Sequence, residues 1–260
     1  MAHGLIHGVK HGVKHGVKHK MAAMFGVPWT VDATSGIATP VSSSEWSQFI
    51  AQNGLGVATP SSVWGFQEAS GNAADAVGGF TLTAAGTVTY QQTAAGWSRK
   101  GVGLSDGVNS QFATTSASLP AANTTSQTVL FLGTVTVSPA GNRQVYTGPN
   151  NSLRIIGGTP RFSVTAIAST ASGSVNPLSA VRPWIYKHDV TNSVQKGYTN
   201  QEALGIPFTP ISGKVLRLGS TAAGPGGVFV YGCAWYGANA EISDANIKAL
   251  LQAMGYTIPW

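Results

Sequence analysis

The stretch Val129-Leu130-Phe131-Leu132-Gly133-Thr134-Val135-Thr136-Val137 decides how the rest of the chain is read. Its first half is apolar at every position, which predicts a central strand, covered on both faces or lying across a sandwich.

Outward from that strand, the sequence from residue 63 to 240 is a series of short alternating or β-branched runs broken by Gly, Pro, Asn and Asp. Strands are expected at Val63–Glu68, Thr81–Ala84, Thr87–Gln91, Gly101–Ser105, Gln111–Thr115, Gln127–Val137, Gln144–Thr147, Ser152–Ile156, Arg161–Thr165, Trp184–Asp189, Val194–Thr199, Val215–Leu218 and Phe229–Tyr236. No helical pattern separates them, so they predict two stacked antiparallel sheets and argue against βαβ units. Composition agrees: only 9% of residues are charged, and Gly alone numbers 33. Such a chain suits many short strands joined by small-residue turns.

Two helices flank the β region. Ser42 followed by Glu45 fits a capping box, and Trp46, Phe49 and Ile50 share one face before Gly54, so a helix is expected from about Ser43 to Asn53. Near the C-terminus, Ser243 is a plausible N-cap and Asp244 suits the positive first turn. Ile247, Leu250, Leu251 and Met254 then form an apolar stripe ending at Gly255. That stripe is expected to dock on the sheet edge or against the first helix.

Residues 1–20 stand apart. His3, His7, His11, His15 and His19 recur every four residues in HGVK repeats, the spacing of a metal-chelating affinity leader that should be disordered. The leader holds four of the 15 basic residues and none of the 9 acids, leaving 11 against 9. A net charge near +2 gives no electrostatic reason to expect nucleic acid as a partner. The organisation expected is therefore a leader at 1–20, a lead-in segment with one helix at 21–60, and a single β domain at 61–260. No apolar run is long enough to cross a bilayer. Cys233, the one cysteine, sits in an apolar strand and reads as a buried small hydrophobe.

Three stretches are read in order: Trp64-Gly-Phe66-Gln-Glu68-Ala-Ser70-Gly71-Asn72 leading to Asp75 and Gly78, the hairpin from His188 to Asn200, and Leu216-Arg-Leu218-Gly219 followed by Val228 to Tyr236. Together they resemble the laminin-G-like branch of the concanavalin-A-like lectin and glucanase superfamily. The resemblance implies an all-β fold, a two-sheet antiparallel jelly-roll sandwich with short N-terminal and C-terminal helices. It also implies that a calcium ion can sit at a sandwich edge, with Asp75 and Asp106 as oxygen ligands. Trp64, Phe66, Tyr231 and Trp235 are expected in the core.

The chemistry of catalysis is hard to find in the sequence. The Glu-x-Asp-x-x-Glu strand of the hydrolytic relatives is absent, and the closest acids, Glu241 and Asp244, fall at a helix start. His188 is the one histidine outside the leader, with no Gly-x-Ser-x-Gly elbow. The expectation is a chain that is not an enzyme.

Two functions follow as expectations. The first is a glycan- or surface-polymer-binding module at the cell exterior, with Tyr146, Trp184 and Tyr198 as platforms and Asn150, Asn151, Asn192 and Asn200 as hydroxyl-catching amides. The second is a structural coat element, such as a virion decoration, fibre or tail component or a bacterial surface protein. Its partners would be neighbouring subunits, and it could form a homo-oligomer.

Overall fold

The strand Gln127–Val135, β6 in chain order, is buried at every residue. Val129, Phe131 and Val135 pack in one apolar cluster with Trp64, Trp184, Val228 and Trp235. Leu130 and Leu132 pack in another with Trp46, Phe49, Leu250 and Leu251. Side chains alternate across a strand, so this segment supplies both clusters at once. Each large side chain so buried contributes roughly 1.5–3 kcal/mol.

The computed structural model describes residues 26–104, 111–113, 126–135, 143–147, 152–156, 161–165, 170–174, 180–189, 191–207, 217–219, 228–237 and 242–260. Within them the chain is mostly β, with two antiparallel sheets and two short helices. The larger sheet contains β1 (Ser62–Trp64), β3 (Val88–Gln92), β4 (Gly101–Leu104), β6, β11 (Arg182–Asp189), β12 (Val194–Tyr198), β13 (Ala203–Pro207) and β15 (Val228–Tyr236). Its order is β13-β12-β11-β6-β15-β4-β3, with β1 also paired to β15. The smaller sheet contains β2 (Thr83–Ala85), β5 (Gln111–Ala113), β7 (Arg143–Thr147), β8 (Ser152–Ile156), β9 (Arg161–Thr165), β10 (Thr170–Ser172) and β14 (Arg217–Gly219). It is ordered β10-β9-β8-β7-β14-β5-β2.

Register fixes the centre of the core. Phe131 of β6 lies opposite Trp184 of β11 on one side and Cys233 of β15 on the other. The Phe131 and Trp184 rings meet edge to face at 5.6 Å, a favoured aromatic geometry. Gly133 makes room for that indole: a Cβ there would lie 2.5 Å from Trp184 Cζ3 and 2.8 Å from the Phe229 carbonyl oxygen. The four aromatics expected inside, Trp64, Phe66, Tyr231 and Trp235, are all buried.

Helix α1 (Ser43–Gln52) is capped by Ser42, whose hydroxyl accepts the Glu45 N–H. The Glu45 carboxylate does not complete the expected box. It accepts instead from the Val41 N–H at 3.1 Å and the Thr30 N–H at 2.7 Å, tying the preceding segment to the helix. Helix α2 (Asp244–Met254) begins at the Ser243 cap and ends at Gly255, whose φ of 115° is the left-handed stop that glycine favours. Its stripe of Ile247, Leu250, Leu251 and Met254 is buried. The cluster it joins includes Leu130, Leu132, Ile185 and Tyr236 from the middle of the larger sheet, and Phe49 of α1. The helix therefore docks on the sheet's face, not its edge.

A second carboxylate holds the lead-in segment down. Asp32 is 2% exposed. Its Oδ1 accepts from the Thr34 and Ser35 N–H groups and the Ser35 hydroxyl, and its Oδ2 from the Ser98 N–H, the Ser98 hydroxyl and the Arg99 N–H. Burial alone would raise its pKa, but these donors outweigh that and hold it below the ordinary carboxylate value. The leader at 1–20 lies outside the described residues.

Candidate functional site

The most organised polar surface among the described residues forms where the loop after β1 meets the edge strand β3. Strand β1 stops at Trp64 because Phe66 takes a φ of 53° while its ring is fully buried. The chain then turns outward and comes back to Asp75, which bridges to Trp64. Asp75 organises the return: its Oδ1 accepts the Val63 and Val77 N–H groups, each at 2.9 Å, and its Oδ2 those of Gly78 at 3.0 Å and Phe80 at 3.1 Å. Glu68 Oε1 accepts the Ala74 N–H at 2.8 Å and Asn72 Oδ1 the Ala84 N–H at 3.1 Å.

Strand β3 supplies the other wall. Its register against β4 breaks between Thr89 and Gln92, and Gln91, inside the break, has a φ of 56°. A bulge of this kind re-aims a side chain. The Gln91 amide nitrogen donates to the Gln67 carbonyl at 2.7 Å and the Glu68 carbonyl at 3.1 Å. The Gln67 amide nitrogen donates in turn to the carbonyls of Gly65 and Lys100, at 2.9 and 2.6 Å. Because carbonyls only accept, these contacts fix which end of each amide is nitrogen. Gln67 and Gln91 are both exposed, and their Oε1 atoms are left for solvent or a ligand.

Tyr90 stands beside them, half-buried against the core. Its hydroxyl donates to the Gly71 carbonyl at 2.7 Å. Burial, and to a lesser degree the Glu68 carboxylate, push the phenol pKa up, so it stays a donor. The site thus combines two fixed amide oxygens, a carboxylate, the Asn72 amide and a tyrosine ring. Groups of these types are suited to exchanging hydrogen bonds with a polar ligand. Non-glycine residues held at positive φ, as Phe66 and Gln91 are, cost of order 1–3 kcal/mol each and tend to gather at ligand sites.

The residues singled out from sequence are distributed elsewhere. Trp184 is 0% exposed and Tyr198 1% exposed, so the platform reading of these two is corrected: neither ring has a face open to a sugar. Their burial follows from β11 and β12 lying inside the larger sheet with both faces covered. Asn192 is exposed at the β11–β12 turn, but its side-chain nitrogen donates to Asp189 Oδ2 at 2.8 Å. Asn200 Oδ1 accepts from Arg182 at 3.2 Å. Tyr146 lies in β7 opposite Leu153 and Leu218. Asn150, Asn151 and Asp106 lie outside the described residues. The calcium role expected of Asp75 is corrected as well, since four N–H donors already occupy its two oxygens. Among the described residues no group of three or more His, Cys, Asp or Glu is placed to hold a metal.

Sequence reading missed Gln67, Asn72, Tyr90 and Gln91 as site residues. The signal that could have found them is the run Trp64-Gly-Phe-Gln-Glu-Ala-Ser-Gly-Asn, where an aromatic strand gives way abruptly to polar turn formers.

No protein-family model matches this chain, and no curated protein matches it. Solved structures do share its fold. The sialidase of Trypanosoma rangeli in complex with the inhibitor DANA matches with a TM-score of 0.58 and 11% identity, over 78% of this chain and 34% of the sialidase. The receptor binding domain of botulinum neurotoxin type G matches with a TM-score of 0.51 and 9% identity, over 76% of this chain and 54% of that one. The binding domain of botulinum neurotoxin DC, solved with rat synaptotagmin II, matches at 0.52 and 11%, over 76% and 52%. This chain spans about a third of the sialidase and about half of each toxin domain. At such identities the likeness shows a shared mostly-β fold. It also corrects the expectation that the chain is not an enzyme: the fold occurs in sialidases, so missing motifs do not place this chain outside catalysis. No helix among the described residues is long and apolar enough to cross a membrane.

Proposed function

We propose that this protein is a carbohydrate-binding module, with its two sheets stacked as a lectin-like sandwich and its ligand held at the Gln67–Gln91 surface. The observation that carries this reading is the pair of glutamine amides whose nitrogens are consumed by backbone carbonyls, leaving two fixed oxygens exposed beside Tyr90. A preorganised acceptor loses little entropy on binding, which is where exposed polar side chains otherwise lose affinity. The fold's occurrence in toxin receptor-binding domains supports a binding role. For the stacking, Ala84 of β2 and Ala171 of β10 pack against the cluster built on the larger sheet.

A glycan array, read with the intact protein and with Gln67→Ala and Gln91→Ala, tests the site. Binding to at least one glycan, lost in both variants while each melts cooperatively, is expected. Absence of any glycan binding at high protein concentration overturns the reading, and so does binding that both variants retain.

A further inference from the structure

We infer that the sugar recognised at the Gln67–Gln91 surface is uncharged, and that a carboxylate or sulfate on it is rejected. The inference rests on the glycan-binding reading and narrows it. Three oxygens have no donor among the described residues: Oε1 of exposed Gln67, Oε1 of exposed Gln91 and Oε2 of half-buried Glu68. Each amide nitrogen is spent on carbonyls, and Glu68 uses only Oε1, on the Ala74 N–H. The side-chain donors that remain are the Asn72 amide, whose Oδ1 is taken by the Ala84 N–H, the exposed Ser70 hydroxyl and the exposed Lys100 ammonium. A partner for this surface must bring donors.

Neutral hydroxyls meet that demand, because each can donate to an amide oxygen and accept from Asn72. An anionic group can only accept. It would stand against two acceptor oxygens and a carboxylate, leaving groups on both sides unpaired. Cations nearby do not reverse this. Arg99 sits behind Gly65 and spends its guanidinium on the Thr39 carbonyl at 3.0 Å and the Gly65 carbonyl at 3.3 Å. Lys100 is exposed and strongly solvated, and the Glu68 carboxylate balances its charge, so the surface carries no net positive charge from these two.

Matched glycans separate the possibilities: neutral galactose-, glucose- and mannose-terminated oligosaccharides, and the same oligosaccharides capped with sialic acid or sulfate, titrated into the full chain. We expect at least one neutral form to bind and its capped counterpart to bind at least about tenfold more weakly, the size of one unmatched hydrogen-bonding group. In Glu68→Gln, which keeps an oxygen for Ala74 but removes the charge, the ratio between neutral and capped forms should shrink several-fold. Equal or tighter binding of the capped forms, lost in Gln91→Ala, overturns the neutrality inference and leaves the site standing. Binding of neutral glycans that survives both Gln67→Ala and Gln91→Ala overturns the site itself.

Discussion

The ammonium of Lys187 lies 3.1 Å from Asp244 Oδ1, joining a lysine that is 2% exposed in β11 to the first residue of α2. Lys196 reaches the other carboxylate oxygen at 2.6 Å, and the Tyr198 hydroxyl donates to Oδ1 at 2.8 Å. Burial would raise the Asp244 pKa, but the hydrogen bonds from Lys196, Tyr198 and Lys187 outweigh it and hold the group at about 2, below its ordinary 3.8. A depressed carboxylate pKa contributes stability that is present above the unfolded value and lost as pH falls through the folded one. Thermal stability is therefore expected to drop between about pH 4 and pH 2, and Asp244→Asn should flatten that part of the profile. At neutral pH the variant should lose about 1–2 kcal/mol, less than a fully buried pair would, because Asp244 is 48% exposed. Unfolding curves of both proteins across that range check the prediction.

Gly133→Ala should destabilise the core without touching the polar surface. The added methyl would meet a fully buried indole and a backbone oxygen at once, and overpacking of this kind costs about 1–3 kcal/mol. A lower denaturation midpoint with unchanged slope is the expected result.

Asp75→Asn replaces one acceptor oxygen with a donor that faces the Gly78 and Phe80 N–H groups or those of Val63 and Val77. A loss of about 2–3 kcal/mol is expected from the broken and opposed hydrogen bonds. Melting should fall by the same amount in calcium and in a chelator, since the defect lies in N–H groups and not in an ion.

The Cys233 thiol is 3% exposed, and burial pushes its pKa far up. Thiolate is the reactive form, so a disulfide reagent should label it no faster than the protein unfolds. Rapid labelling of the native state would contradict the packing of β15 against β6.

Elements with local causes were legible from sequence alone. The two helices declare their caps within three residues of Ser42 and Ser243, and β6 declares its double burial by uninterrupted apolar character. Strand β13 was harder, because Ala203-Leu-Gly-Ile-Pro207 carries a Gly and a Pro, which an edge strand tolerates. Trp184 and Tyr198 show a different limit: an aromatic in a strand can face core or solvent, and the choice depends on what covers each face, here strand residues such as Trp64 and Val228 around Trp184 and the helix layer around Tyr198, from parts of the chain far away in sequence. Gln67 and Gln91 were invisible for a related reason. They are joined by a hydrogen bond that spans 24 residues, and glutamine is not a residue type that announces the left-handed backbone found at Gln91.

Strand β15 hydrogen-bonds to β4, β6 and β1, all of which precede it by a long way in the chain. During synthesis the β6 edge opposite Phe131 must wait, unpaired and strongly apolar, until the last strand has left the ribosome. Such late closure slows folding and exposes a template for intermolecular pairing. Truncation anywhere before residue 236 should therefore yield aggregate instead of a smaller soluble fold.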